Sequence, residues 1–284
     1  MALNRILRKI WWVSFRCTER NPVKLHPSMR LQFRKYQGTG NDFIMIDNRN
    51  GDIRLSDSEI IRVCDRKFGI GSDGIILLQK ASQADFEMIF HNPDASKSFC
   101  GNGSRCIVQF AHDIGAAPDH GSFLAIDGLH DYRFNRDRIA IHMKDIHGID
   151  MDGDAYVINT GSPHYIKYVS ELGQINIVPE ARQVRYAPRY SPAGINVNFV
   201  EENDRGISIR TYERGVEDET LSCGTGVTAA ALSYACRNPG RQNVQVITRG
   251  GELNVEYIQK NNNSFTDVWL SGPAQFVFSG EINI

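Results

Sequence analysis

Two short stretches carry the residues best suited to chemistry. Residues 97–106 read KSFCGNGSRC and residues 220–230 read TLSCGTGVTAA. Each sets a cysteine, a glycine and a second glycine at the start of an apolar run. The first N–H groups of a helix have no partner inside it, and its dipole makes that end partly positive. C-G-x-G opening a helix is therefore an anion cradle with a thiol at its lip. The same field is expected to lower the cysteine pKa toward neutrality. One such mouth suits a nucleophile; two that face each other suit inversion of a stereocentre. One thiolate removes a proton from a carbon beside a carboxylate, and the opposed thiol delivers a proton to the other face. The amides of Cys100, Gly101 and Asn102 and of Cys223, Gly224 and Thr225 are placed to hold that carboxylate and the charge developing on it.

The elements that must position these mouths are mostly strands. Period-two alternation runs through FRKYQG, DFIMID, DFEMIFH, RIAIHMK, GISIRTYE, NVQVITR and ELNVEYI. Residues 56–68 predict a helix, with Ser56 and Glu59 as a capping box and Gly69 as its stop. Two more helices follow the glycine-rich stretches, ending at Gly115 and at Asn238-Pro239-Gly240. Both are apolar around most of their circumference and must be enclosed by a curved sheet. The halves also repeat. Thr39 precedes Cys100 by 61 positions and Thr160 precedes Cys223 by 63; GIILL and NVNFV begin 26 and 27 positions ahead of those cysteines. The expected fold is α+β, with two pseudo-symmetric domains, each a curved mixed sheet or barrel around a central helix. Residues 29–148 with 276–284 form one and residues 149–275 the other, the last strand returning to complete the first.

Bulk composition narrows the partners. With 32 Lys and Arg against 33 Asp and Glu in 284 residues, no global charge argues for nucleic acid or an anionic membrane. Residues 1–30 carry seven basic side chains and the single acid Glu19, so residues 1–28 read as an extension. That extension is a loose tail or an upstream start, Met29 being the expected beginning. No run of about 18 apolar residues is present. Six cysteines without a C-x-x-C pair read as reduced thiols of the cytoplasm. GIGSDG (69–74) follows a helix and precedes a strand, the reverse of the dinucleotide-binding context. No metal-ligand spacing is present, so no metal is expected. Glu217, Asp218 and Glu219 read as a solvated loop.

At GTGNDF, FHNPD, CGNGSRC, GSPH, INVNFVE, YERGVEDETLSCGTG and SGPAQFVFSGEI the chain resembles the diaminopimelate epimerase family over residues 31–280. The resemblance implies a fold of two similar domains, each a sheet around a helix, and an isomerase that needs no cofactor. The substrate it implies is a small diamino-dicarboxylate, taken from the LL to the meso form for lysine and peptidoglycan synthesis. Cys100 and Cys223 become the acid and base pair, with His164 and Glu213 close enough to tune them. Asn41, Asn92, Gly101, Asn102, Asn196, Glu213, Arg214, Gly224 and Thr225 become substrate contacts, the planar fork of Arg214 matching a distal carboxylate. Gly74 stands where the family has glutamine, Ser162 where it has asparagine, and the loop from Glu213 to Cys223 is one residue longer than the commonest form. A racemase of another amino acid on the same scaffold, or a thiol redox switch without catalysis, are the alternatives. Oligomeric state is not legible in the sequence, a homodimer being one option.

Overall fold

The computed structural model describes residues 29–284; the expectations for residues 1–28 lie outside that range. The first half runs β1 (Arg30–Gly38), β2 (Asn41–Asp47), α1 (Asp57–Cys64), β3 (Ile75–Gln79), β4 (Phe86–His91), α2 (Gly101–Asp113), β5 (His120–Ala125), β6 (Gly128–Asn135) and β7 (Arg138–His142). The second runs β8 (Asp150–Asp152), β9 (Ala155–Asn159), β10 (Pro163–Tyr168), α3 (Ile177–Arg185), β11 (Asn196–Asn203), β12 (Gly206–Glu213), β13 (Asp218–Thr220) and α4 (Gly224–Arg237). It closes with β14 (Asn243–Thr248), β15 (Gly251–Asn261), β16 (Ser264–Gly272) and β17 (Gln275–Asn283).

The repeat read from residue spacing is a repeat of strand pairing. β1–β2 is antiparallel, β2–β3 parallel, β3–β4 antiparallel, β4–β5 parallel, and β5–β6–β7 antiparallel. The strands β9, β10, β11, β12, β14, β15 and β16 follow one another in the same succession of senses. β17 returns from the end of the chain to pair with β1, and β8 takes the equivalent place beside β9. Pairing of β7 with β16 joins the halves. In the first half the strands turn at Thr39 and Gly40, both in the left-handed region, which suits the twist of a two-residue hairpin.

Each sheet is wrapped around one helix. Ile107, Val108, Phe110 and Ala111 of α2 pack against Met45, Ile76, Leu78 and Met88. The opposite faces of the same strands, at Ile44, Ile46, Ile75 and Leu77, hold α1 through Ile60 and Val63. Strands buried on both faces read as continuous apolar runs. In the second half α4 fills the shell through Val227 and Ala229–Ala231, and α3 covers the outside at Val197, Phe199 and Tyr212. Every Ile, Leu or Phe so enclosed contributes roughly 1.5–3 kcal/mol. Among the described residues no helix is long and apolar enough to cross a membrane.

Local expectations fail where side chains compete with the backbone. α1 stops at Cys64 and not at Phe68, because the Asp65 carboxylate accepts from the amides of Lys67 and Phe68 at 2.7 Å, folding the chain back. α3 was not foreseen: Pro179 looks like a breaker, yet it lies in the first turn, where no N–H is needed. α2 also buries three polar side chains, Asn102, Ser104 and Arg105. The acidic run is no solvated loop either. Glu217 accepts from Arg185 at 2.8 Å and Glu219 from Arg210 at 2.7 Å, pinning β13 to its surroundings.

Candidate active site

The two cysteines are the N-cap residues of α2 and α4. The helix mouths abut: a Cβ built on Gly101 would lie 3.8 Å from the Gly224 Cα, and one on Gly224 would lie 3.6 Å from the Gly101 Cα and 3.1 Å from Leu270. A Cβ at either position would rest in contact with the opposite mouth, and one at Gly224 would crowd Leu270. The second glycines answer to a different constraint. A Cβ on Gly226 would come within 2.7 Å of Asn198 Oδ1 and 3.2 Å of the His164 ring, and one on Gly103 within 2.9 Å of Ile76. C-G-x-G is thus spaced for helix-to-helix contact at the first glycine and for helix-to-sheet contact at the second.

Each sulfur has its own donors. The Gly103 amide donates to Cys100 Sγ at 3.4 Å, while Thr225 Oγ1 lies 3.4 Å from Cys223 Sγ. Behind Thr225 stands His164 on β10, fully buried, with Nε2 at 2.9 Å from Thr225 Oγ1 and Nδ1 at 3.2 Å from Asn198 Nδ2. Asn198 Nδ2 also donates to the Tyr165 carbonyl, and its Oδ1 accepts from Thr211. That fixes the amide, so Nδ1 is the acceptor and Nε2 carries the proton. Burial, reinforced by the positive charge of Arg214, pushes the histidine pKa down to about 3. His164 is therefore neutral, and it reaches the thiol through Thr225.

The thiols are not drawn toward neutrality. Burial pushes Cys100 up to about 11 and Cys223 up to about 12, and the Glu213 carboxylate adds to both. The amide of Gly103 and the hydroxyl of Thr225 pull the other way without winning. Removing a sulfur from water costs more than the helix ends and these donors return. Glu213, itself raised by burial, is the acid common to both.

Cys100 lines a cleft of about 520 Å3 with Asn41, Asn92, Phe43, Phe90 and Ser222. Cys223 lines a second cavity of about 360 Å3 with Thr160, Ser162, Asn196, Arg214 and Thr225. The expected single void is divided, and Ser98, Phe99 and Glu213 belong to both walls. The loop ahead of Cys100 holds this division: Asn92 Nδ2 donates to Ser96 and Ser98 at 3.1 Å, and Phe99 stacks on His130 at 4.4 Å. Asn102 crosses it underneath, its Nδ2 donating to Asn41 Oδ1 at 3.1 Å and to the Ser222 carbonyl at 3.0 Å. On the other side, Asn196 Nδ2 donates to Ser162 Oγ at 2.8 Å while its Oδ1 accepts from the Arg214 amide at 2.9 Å.

A family profile described as diaminopimelate epimerase matches residues 33–122 and 156–277. The chain belongs to the diaminopimelate epimerase family. Diaminopimelate epimerase of Flavobacterium psychrophilum is 44% identical over 89% of this chain and 100% of its own length. That of Chlorobaculum tepidum is 40% identical over 87% of this chain and 99% of its own. Among solved structures, a phenazine biosynthesis protein of the PhzF family from Bacillus anthracis superposes with a TM-score of 0.69 at 14% identity, covering 90% of this chain and 100% of that one. It shares the fold.

Gly74 and Ser162, the two positions at which the resemblance leads to an amide side chain, have definite surroundings. A Cβ at Gly74 would lie 2.4 Å from Phe90 and 2.6 Å from the His91 carbonyl, so Phe90 occupies the ground a glutamine would need. Ser162, in place of asparagine, keeps a polar partner in Asn196. Residues not singled out beforehand also shape this site of the diaminopimelate epimerase fold. Asn198 fixes the His164 tautomer, Asp73 accepts from Asn41 at 2.6 Å, and Arg105 lies beneath Asn102 at 2.8 Å. Asn198 was findable, since it shares a face of β11 with Asn196 by period two. Arg105 carries no such local signal, since its burial depends on strands distant in sequence.

Proposed function

We propose that the protein is a cofactor-independent two-cysteine isomerase that converts LL-2,6-diaminopimelate to meso-diaminopimelate in the cytoplasm, supplying lysine and peptidoglycan synthesis. The observation that carries this is the pair of N-cap cysteines on two helix mouths that touch at Gly101 and Gly224. In the forward direction one sulfur, as thiolate, takes the α-proton and the other, as thiol, returns a proton from the opposite side. The free amides at the two mouths stabilise the carboxylate as it takes on enolate character. Ser222 Oγ is buried in the Cys100 cleft with no hydrogen-bond partner among the described residues, and a buried hydroxyl is ordinarily satisfied; substrate supplies its partner. Glu213, common to both cavity walls, accepts the α-ammonium, and Arg214 pairs with the distal carboxylate. Asn41, Asn92, Asn102 and Asn196 complete the polar lining. For one molecule to touch both sulfurs, Ser98, Phe99 and Glu213 must draw back.

Residues 29–148 with 276–284 act as one domain and residues 149–275 as the other, closing to exclude water that would quench the carbanion. The substrate is a small molecule, with neither nucleic acid nor membrane as partner. A stereochemical assay on the reduced protein tests the reading: LL-diaminopimelate should be converted to the meso form, with loss of conversion in both C100A and C223A. Turnover of histidine, lysine or glutamate without turnover of diaminopimelate, or full activity in C100A, would overturn it.

A further inference from the structure

Arg105 is a fully buried guanidinium one turn inside α2, and no carboxylate among the described residues pairs with it. Its Nη2 donates to Asn102 Oδ1 at 2.8 Å and to Thr39 Oγ1 at 3.2 Å, its Nη1 to the Gly101 carbonyl at 3.3 Å, and its Nε to the Pro273 carbonyl at 3.5 Å. Gly272 and Gly38 flank it: a Cβ on Gly272 would lie 2.2 Å from Leu253 and 3.1 Å from the Arg105 Nε, and one on Gly38 3.1 Å from Cys106 Sγ and 3.6 Å from the Arg105 Nη2. A cation enclosed by carbonyls, a hydroxyl and an amide is costly to keep charged. At the equivalent place in α4 stands Thr228, whose hydroxyl bonds the Gly224 carbonyl at 3.0 Å. The pseudo-symmetry is broken at this point, with a fixed positive charge under one helix mouth and a neutral hydroxyl under the other.

We propose that Arg105 is a positioning residue that makes the two thiols inequivalent. It holds Asn102 in the orientation that ties the α2 mouth to Asn41 and Ser222, and its charge, one turn below that mouth, makes Cys100 the more readily ionised of the two thiols. The site meant is the one assigned to epimerisation above, and the proposal rests on that assignment. Burial pushes the Arg105 pKa down only to about 10, with Arg138 on β7 adding repulsion and the two cysteines of α2 opposing it. The arginine stays protonated at neutral pH. Cys100 faces Glu213 from β12 as well as Arg105 from its own helix, and Cys223 faces Glu213 and Cys100. Glu213 acts on both sulfurs, while Thr225 donates to Cys223 and Arg214 lines its cavity, so the part played by Arg105 is read from its own substitution.

The test is the pH dependence of iodoacetamide alkylation of Cys100 in C223A and of Cys223 in C100A, each followed by peptide mass spectrometry. Cys100 should alkylate at lower pH than Cys223. R105M should raise the Cys100 midpoint by about one pH unit, a tenfold change in thiolate fraction below it, and leave the Cys223 midpoint in place. In otherwise wild-type protein R105M should lower kcat with little change in KM. R105K, which keeps the charge but cannot span Asn102 and Thr39 with a planar fork, should keep the Cys100 midpoint and still lose kcat. Should R105M fail to fold, R105Q, neutral but still polar, takes its place with the same expected shift of Cys100 alone. An unmoved Cys100 midpoint in folded R105M, equal movement of both sulfurs, or a raised Cys100 midpoint in R105K would overturn the proposal. Alkylation needs no diaminopimelate, so a wrong substrate and a wrong role for Arg105 give different results.

Discussion

His164 Nε2 lies 2.9 Å from Thr225 Oγ1, and because Asn198 donates to the other ring nitrogen, this contact runs from histidine to threonine. The threonine hydroxyl keeps its own proton for Cys223 Sγ, 3.4 Å away. A donor that bonds a thiolate and has little to offer a thiol lowers the barrier to ionisation, as an oxyanion-hole donor does. Thr225→Val should therefore lower kcat by roughly 10²-fold, whereas Thr225→Ser should stay near wild type. Steady-state kinetics on both variants decides it; full activity in the valine variant would remove the relay from the account.

The buried, neutral His164 also sets an acid limit on stability. Its pKa falls from 6.5 to about 3 on folding. Above pH 6.5 neither state holds the proton and the full contribution is present. As pH drops, the unfolded chain binds the proton first, so stability is lost progressively from about 6.5 down to about 3. Thermal melts from pH 7 to 4 should show a declining Tm in wild type and a shallower decline in His164→Gln. Parallel slopes would contradict this placement of the charge.

Gly226 is held by space. Alanine there meets Asn198 Oδ1 at 2.7 Å and His164 at 3.2 Å, both fixed by their own hydrogen bonds, so neither can yield cheaply. Gly226→Ala should cost about 1–3 kcal/mol, read as a lowered denaturation midpoint, together with loss of activity. A variant as stable as wild type would show that β11 and α4 are less closely apposed.

Glu213 raises both thiols. Removing its charge in Glu213→Gln should shift the alkylation of Cys100 and of Cys223 to lower pH together. The same change should raise KM, since the carboxylate is assigned to the ammonium of the substrate. In wild type kcat/KM should climb across pH 7–9, up to about tenfold per unit. An alkylation profile that ignores position 213 would place the carboxylate too far from the sulfurs.

Much of this architecture was readable from spacing. Thr39, Cys100, Thr160 and Cys223 mark equivalent places because each half must turn a hairpin and then drive a helix through its sheet, and a duplicated length preserves that register. What was not readable depends on contacts distant in sequence. The thiol pKa values follow enclosure by the whole shell, which a helix-mouth argument omits. Arg105, 66 positions from Thr39, reveals its burial only when the strands close over α2. The division of the site by Phe99 depends on its stacking against His130, a pairing that no local pattern announces. α3 was hidden by a proline whose position in the first turn makes it harmless.

The central claim is that two sulfurs act on one carbon from opposite faces. It is tested most directly by turnover of LL-diaminopimelate in deuterium oxide, stopped early, with isotope measured separately in product and in remaining substrate. Deuterium at the inverted carbon of the product, with none in the recovered LL-substrate, is the predicted result. Equal deuterium in both pools from the first turnover, or product that keeps its original proton, would mean that a single base serves both faces.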